Sequence, residues 1–142
     1  MKSAHIKLVQ DSWKLVAPIA DDTAAMFYAK LFEINPALQP LFRGDMREQG
    51  RKLMAIITTA VNSLTKLETI IVAVQDLGRR HGDYGVEQQD YDTVAEALLW
   101  TLEKSLGAAW NEDLKAAWVE TYTTLAGIMV AAAGETVNRK VG

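Results

Sequence analysis

The sequence predicts an all-α domain of about seven helices. Apolar residues recur at steps of three and four along nearly the whole chain, as expected for helices with one buried face. No segment shows the alternating pattern of a strand or a two-residue hairpin turn. With 142 residues, of which 49% are hydrophobic and 23% charged, the chain is expected to form a single domain, residues 1–142, with a real core.

The first two helices are predicted within residues 3–34. Ser3 is expected to cap the first helix, and Pro18 suits the first turn of the second, which runs to about Glu33. The apolar face of the first helix comprises Ile6, Val9, Trp13 and Val16. That of the second comprises Ala24, Phe27, Leu31 and Ile34, with Tyr28 and Phe32 beside them.

Two further helices are predicted at about 35–42 and 45–64. Asn35 is expected to cap the first of them, and Gly44 lies in the break between the two. Asp45 begins a capping-box pattern with an acidic residue three positions later. One side of the longer helix carries Gln49, Leu53, Ile56 and Ala60.

The next predicted helix ends on the most informative residue of the chain, His81. It runs from about Glu68 and is expected to end at Gly82 and Gly85. Steps of four, three and four place Ile70, Val74, Leu77 and His81 on one apolar face. An imidazole on such a face needs a polar or metal partner.

The last two helices follow a loop. The sixth is expected to start at Asp90 or Asp92 and to end at Gly107, and Asn111 is expected to cap the seventh. Their inward residues are predicted to be Val94, Leu98, Thr101, Leu102, Leu114, Trp118, Leu125 and Met129. Residues 137–142 are expected to form a frayed tail.

Composition excludes several classes of function. A net charge of −3 argues against nucleic acid and, more weakly, against an anionic membrane surface. The absence of cysteine excludes disulfides, thiolate nucleophiles, iron–sulfur clusters and covalent c-type haem. No segment reads as a secretion signal or a membrane span, so a cytoplasmic protein is expected. Gly78 and Lys2 stand three residues before the two histidines, which excludes the Glu-x-x-His pairs of di-iron bundles.

Local sequence alone leaves the role of His81 open. A histidine in the last helical turn interacts well with the helix dipole, and on that basis a capping role is favoured about two to one. Tyr28 and Phe42 taken singly are typical core aromatics. Gln49 shares a face with apolar residues, although at the exposed start of a helix its amide could reach water.

Taken together, the residues resemble a known family. The segment 27–32, the pair Asn35-Pro36 and the run 40–42 resemble the second and third helices of bacterial single-domain globins and of flavohaemoglobin haem domains. Segments 49–54 and 76–81 resemble the same family, as do Val86 and Tyr91. The resemblance covers essentially the whole chain. Its strength lies in the joint spacing of Tyr28, Phe42, Gln49 and His81, which outweighs the capping interpretation of His81.

The resemblance implies a globin fold around a pocket for non-covalent haem b, and it implies a role for each matching residue. His81 would be the proximal iron ligand, with its Nδ1–H donated to a helix carbonyl such as that of Leu77. Tyr28 and Gln49 would form the distal pocket and donate hydrogen bonds to bound oxygen. Phe42 would pack on the porphyrin, and Lys52 and Arg80 would pair with its propionates. Leu53, Val86, Tyr91, Leu98 and Leu102 would line the haem.

Two departures from the family pattern bear on activity. The glutamate that pairs with the proximal histidine in flavohaemoglobins falls on Ala133 here, and Glu135 lies about 200° away around the helix. No flavin or nicotinamide module follows, so turnover would need an external reductase.

Three functions remain open at this level. The first is oxygen binding with conversion of nitric oxide to nitrate. The second is oxygen storage or delivery without turnover. The third is a sensing or interaction domain. Expected partners are the gases O2, CO and NO, in a monomer or weak homodimer. Because the only other histidine is His5, at the outer end of the first helix, a five-coordinate ferrous state is expected.

Overall fold

The computed structural model describes residues 2–42, 44–83 and 87–141, and this part of the chain is helical with no strand. Its α-helices are α1 (Ser3–Val16), α2 (Ala20–Ile34), α3 (Met46–Asn62), α4 (Ile71–Asp83), α5 (Gln88–Leu106) and α6 (Glu112–Val141). Short 3₁₀ segments lie at Ala17–Ile19, Pro36–Leu41, Leu64–Thr69 and Gly107–Ala109. The prediction of an all-α fold is confirmed.

Three of the predicted helix caps are present. The side-chain oxygens of Asn35 and Asp45 accept hydrogen bonds from the backbone N–H two residues further on, at 3.1 and 2.9 Å. Asn111 accepts one from the N–H three residues further on, at 2.8 Å. Each bond satisfies a donor that the first helical turn leaves without a partner, so these residues determine where their helices begin.

One prediction for the first 42 residues was wrong. Lys2, rather than Ser3, precedes α1, and its side chain makes no capping bond. The third predicted helix is present, and it is a 3₁₀ helix, Pro36–Leu41. Pro40 has no N–H to donate to the carbonyl four residues earlier, so an α-helical bond cannot form there.

The boundaries around α4 also differ from the prediction. Residues 64–69 form a 3₁₀ segment, and α4 begins only at Ile71. Gly82 does not end this helix, which continues to Asp83. A Cβ added at Gly82 would lie 3.2 Å from the Cβ of Ala133, so close packing on α6 accounts for the glycine. Gly85 lies outside the described residues.

Helix α5 begins earlier and α6 ends later than predicted. Glu87 is the capping residue of α5, and the Asp90 carboxylate accepts the reciprocal bond from the Glu87 N–H at 2.8 Å. Asp90 therefore belongs to a capping box instead of starting the helix itself. Helix α6 continues through Val141, since residues 137–141 contain neither proline nor glycine.

The main core lies between α1, α3, α5 and α6. Trp13 and Trp118 meet there with ring centroids 5.8 Å apart. Their indole N–H groups donate to Thr58 Oγ1 at 2.9 Å and to Ser12 Oγ at 3.0 Å. Both large rings are thus buried without an unsatisfied polar atom. No helix of the described part is long and apolar enough to cross a membrane.

Two close helix contacts arrange the elements that carry the predicted site residues. Helix α2 crosses α3 where a Cβ at Gly50 would lie 3.0 Å from the Cβ of Ala24. Helix α4 lies on α6 where a Cβ at Gly78 would lie 2.4 Å from the carbonyl oxygen of Met129. Glycine is needed at position 78 because this approach leaves no room for any side chain.

Candidate functional site

A second, smaller core surrounds an aromatic cluster on α2. Tyr28 is buried, with its ring centroid 5.3 Å from Phe42 and 6.1 Å from Phe32. Phe32 and Phe42 also meet edge to face at 5.4 Å. The structure therefore brings together Tyr28 and Phe42, which the sequence singled out. It adds Phe32, whose position four residues after Tyr28 is the signal that could have identified it.

Gln49 on α3 reaches the same cluster. Burial raises the pKa of the Tyr28 hydroxyl to about 12, and hydrogen bonding from the Gln49 side chain acts in the opposite direction. The phenol therefore keeps its proton across the physiological range and remains a hydrogen-bond donor. A phenol and a carboxamide placed together in a largely apolar environment form a polar pair suited to a small polar ligand.

Helix α3 extends this pair with an apolar face. Leu53 is half-buried and packs on the Tyr28 cluster together with Leu98 of α5. Leu102 is fully buried in the main core. Ile56 lies on the same side of α3 as Leu53, yet 46% of its surface is exposed. A hydrophobic group laid along this side of the helix would find apolar contacts there.

His81 is held by its own helix. Its Nδ1 lies 2.8 Å from the carbonyl oxygen of Leu77, as expected from the sequence. A carbonyl can only accept, so Nδ1 carries the proton and Nε2 of the neutral ring carries the lone pair. Burial lowers the pKa of the imidazole, while the Leu77 hydrogen bond opposes this and the charge of Arg80 adds to it. The ring is thus kept neutral and directional, as a metal ligand must be.

The face of α4 next to His81 packs directly on α6. Gly78 meets the backbone of Met129, and Gly82 meets Ala133. Ala133 is the position at which the resemblance predicted the flavohaemoglobin glutamate to fall, and its methyl group lies against Gly82 of α4. The described part of α6 therefore offers no carboxylate at this contact.

The predicted basic residues lie at the surface. Lys52 is exposed and pairs with Glu48 at 3.9 Å, and Arg80 is exposed and pairs with Asp76 at 3.4 Å. Arg79 behaves differently, because its Nε is buried and has no hydrogen-bond partner among the described residues. Nothing in the local sequence distinguishes Arg79 from its neighbour. Val86 lies outside the described residues.

Tyr91 is half-buried near the start of α5, and burial raises the pKa of its hydroxyl. Its backbone carbonyl accepts a hydrogen bond from the hydroxyl of Tyr122 on α6 at 2.6 Å. Burial, together with the nearby Tyr91 and Asp92, raises the pKa of Tyr122 as well. This bond ties the first turn of α5 to the helix that supports α4.

The second histidine lies elsewhere. His5 of α1 hydrogen-bonds through Nδ1 to the carboxylate of Glu120 on α6. Within the described ranges, no group of three His, Asp or Glu side chains lies close enough to hold a metal ion. A metal bound through His81 would therefore need most of its ligands from a non-protein group.

Comparison with known proteins identifies the family of the chain and proteins of similar fold. The family model named Globin matches residues 25–129. Neuroglobin of Danio rerio is 32% identical in an alignment of 136 positions that covers 86% of this chain and 86% of the neuroglobin. A Rhodothermus marinus protein proposed to be a nitric oxide dioxygenase, and engineered as a carbene transferase, superposes with a TM-score of 0.90 at 22% identity. That match covers 100% of this chain and 99% of the other. A bacterial globin of Campylobacter jejuni superposes at 0.83 with 21% identity, over 96% and 99% of the two chains.

Proposed function

This chain belongs to the globin family, and we propose that it binds oxygen reversibly at haem and uses it to convert nitric oxide to nitrate. Globins bind diatomic gases through haem. The observation that carries the finer proposal is the Tyr28–Gln49 pair, two hydrogen-bond donors held together on α2 and α3. The likeness in fold to the Rhodothermus marinus protein is in line with this activity.

The residues present fit a haem. His81 has the tautomer and the neutral charge that would let its Nε2 hold the haem iron, since Nδ1–H is donated to Leu77. Phe42, Leu53 and Leu98 offer apolar contacts to a porphyrin. The chain has no cysteine for a thioether link, which favours non-covalent haem b. When bound, ferrous haem supplies the iron that takes up oxygen and other diatomic gases.

We assign the propionate contacts to Lys52 and Arg80. Both are exposed, and each pairs with a carboxylate on its own helix over 3.4–3.9 Å. Exposed pairs of this kind contribute little to stability, so exchanging a helix carboxylate for a propionate costs little. Val86, Tyr91 and Leu102 complete the proposed set of haem-lining residues.

Tyr28 and Gln49 supply the hydrogen bonds in the distal pocket. The Tyr28 O–H and the Gln49 amide N–H are both donors, and they would donate to a diatomic ligand that haem holds in this pocket. Each bond contributes on the order of 1 kcal/mol. Two donors acting together should retain oxygen long enough for nitric oxide to arrive.

A five-coordinate ferrous state follows from the placement of the histidines. His5 is bound to Glu120 at the contact between α1 and α6, and the chain has no third histidine. No imidazole is therefore left to bind on the side of Tyr28.

The proposed reaction consumes one electron for each turnover. Nitric oxide and dioxygen combine with that electron to give nitrate, so a reductase must restore the ferrous state. Tyr28 and Gln49 would donate hydrogen bonds to oxygen, and His81 would hold the haem. No residue of the chain needs to gain or lose a proton.

Two measurements test the proposal. The first is the absorption spectrum of the purified protein in ferric, dithionite-reduced and CO-bound forms. A single broad visible band in the ferrous form, with a sharp shift on CO, is expected for histidine-ligated five-coordinate haem. Two sharp ferrous bands would contradict the five-coordinate state, and absence of haem uptake would favour an interaction domain.

The second is a stopped-flow experiment in which oxygenated protein is mixed with nitric oxide. Stoichiometric nitrate and ferric protein are expected. A protein that binds oxygen yet forms no nitrate would instead be an oxygen store or carrier.

A further inference from the structure

We propose that a cleft between α2 and α3 is the path by which neutral diatomic gases travel between solvent and Tyr28. The inference rests on the proposed function, because it identifies how ligand reaches the pocket that contains Tyr28 and Gln49. It concerns a part of the molecule separate from His81 and from the residues proposed to contact porphyrin.

The cleft lies beside the crossing of α2 and α3 and is open to solvent on one side. Its volume is about 460 Å³. It is lined by Asp21, Asp22, Ala24, Ala25, Tyr28, Phe32, Met46, Arg47 and Gly50. Since one liquid water occupies about 30 Å³, the space is ample for a molecule of two atoms.

The inner wall of the cleft belongs to the functional site. Tyr28 is the most deeply buried of its larger side chains, at 7% exposure, and Phe32 contacts both Tyr28 and Phe42. A small molecule in the cleft therefore contacts the side chain of Tyr28, the residue proposed to bind oxygen through its hydroxyl. Gly50 and Ala24 keep the two helices in contact at one margin of the space.

The lining selects for neutral ligands. Its walls are mostly apolar, from alanine, methionine and aromatic side chains. The charged side chains of Asp21, Asp22 and Arg47 are all exposed, which places them at the solvent side. Oxygen, carbon monoxide and nitric oxide need no counter-charge to enter such a space, whereas an ion would lose hydration with no buried partner to replace it.

Ala25 offers a way to fill the cleft without touching the phenol. It is exposed on α2 and lines the cleft, so a tryptophan there occupies the space from the solvent side. Ala29 is exposed one turn further along α2 and does not line the cleft. Ala29→Trp is therefore a matched control for the cost of a surface tryptophan on this helix.

The association and dissociation rates of a ligand distinguish residues that line its path from residues that bind it. An obstruction on a path slows association and dissociation by the same factor, and leaves the equilibrium affinity unchanged. A change at the binding site alters the affinity itself. Both rates can be measured with CO, by flash photolysis for association and by ligand replacement for dissociation.

For the haem-loaded ferrous protein we expect Ala25→Trp to slow both CO rates together by on the order of threefold to tenfold, with tenfold corresponding to about 1.4 kcal/mol on the barrier. Ala29→Trp should match wild type. The proposal is overturned if the Ala25→Trp rates equal those of Ala29→Trp, or if only the affinity changes.

Xenon provides a readout that does not depend on haem. We expect dissolved xenon to shift the backbone amide signals of Ala25, Tyr28 and Gly50 in the ¹H–¹⁵N spectrum, and Ala25→Trp to abolish those shifts. Absence of these shifts in wild type overturns the cleft as a gas path. If the protein takes up no haem while xenon still binds, the proposed function fails and the cleft stands as a site for small neutral molecules.

Discussion

The Nδ1 atom of His81 lies 2.8 Å from the carbonyl oxygen of Leu77, one helical turn earlier. This bond orients the ring and determines which nitrogen carries the lone pair. The expected properties of the site follow from this geometry.

Removing the imidazole should remove the haem. We expect His81→Gly to lose most of its haem affinity, because its imidazole is the proposed ligand of the iron, and added imidazole should restore binding. Haem titration with and without imidazole measures this. His5→Gln is the control and should bind haem like wild type, since His5 contacts Glu120. Full haem affinity in His81→Gly would disprove the assignment.

The haem-free protein should lose stability as pH falls below about 6.5 because of His81. Burial lowers its pKa in the folded state, so the unfolded chain, with a pKa near 6.5, binds the proton first. Protonation therefore favours unfolding from that pH downward. Urea unfolding at pH 8, 7, 6 and 5.5 should show this decline in wild type and a smaller one in His81→Gln.

Glu120 affects the stability of the protein at lower pH than His81 does. The His5 hydrogen bond, followed by that from the Lys2 backbone N–H, lowers the pKa of Glu120 below 4.5. Its contribution to stability is therefore retained above that pH and lost only in more acidic solution. Equal slopes for wild type and His81→Gln between pH 7 and 5.5 would show that His81 is not the source of the decline.

The Tyr28 hydroxyl should control oxygen release. We expect Tyr28→Phe to accelerate oxygen dissociation by about 5- to 30-fold, which corresponds to a lost hydrogen bond of about 1–2 kcal/mol. Stopped-flow replacement of oxygen by CO measures the rate. Dissociation of CO, a weaker hydrogen-bond acceptor, should change far less. An unchanged oxygen rate would mean that Tyr28 does not contact the ligand.

The contact between α4 and α6 should tolerate no side chain at Gly78. A Cβ there would lie 2.4 Å from the Met129 carbonyl oxygen, so we expect Gly78→Ala to destabilise the protein by about 1–3 kcal/mol or more. Gly134 of α6 is exposed and has no atom within 4 Å of its added Cβ. Gly134→Ala should instead stabilise by about 0.5–1 kcal/mol. Urea unfolding compares the two, and equal effects would contradict the close contact.

Most of the fold was predictable because helix signals are local. The spacing of apolar residues indicated the helices, and the caps at Asn35, Asp45 and Asn111 lie where side-chain oxygens can reach the next N–H groups. The predicted helix boundaries were wrong where a contact between residues far apart in the chain outweighed a local sequence signal. Gly82 looked like a helix end in sequence, yet it is a packing residue against Ala133.

For the candidate site, the sequence predicted which residues take part but not how they contact one another. The joint spacing of Tyr28, Phe42, Gln49 and His81 indicated a family, and the resemblance to that family implied a role for each of these residues. The buried Nε of Arg79 and the cleft beside Ala25 had no counterpart in the sequence.

What the sequence determined by itself was therefore the helical class, the capped helix starts and the presence of one histidine on an apolar face. These depend on residues within one or two turns of each other, and side-chain chemistry decides them locally. Only the tertiary structure decided how closely α4 approaches α6, where α2 and α3 leave open space, and which donors meet at Tyr28. Those features arise from the packing of residues far apart in the chain, and no local pattern encodes the distance between them.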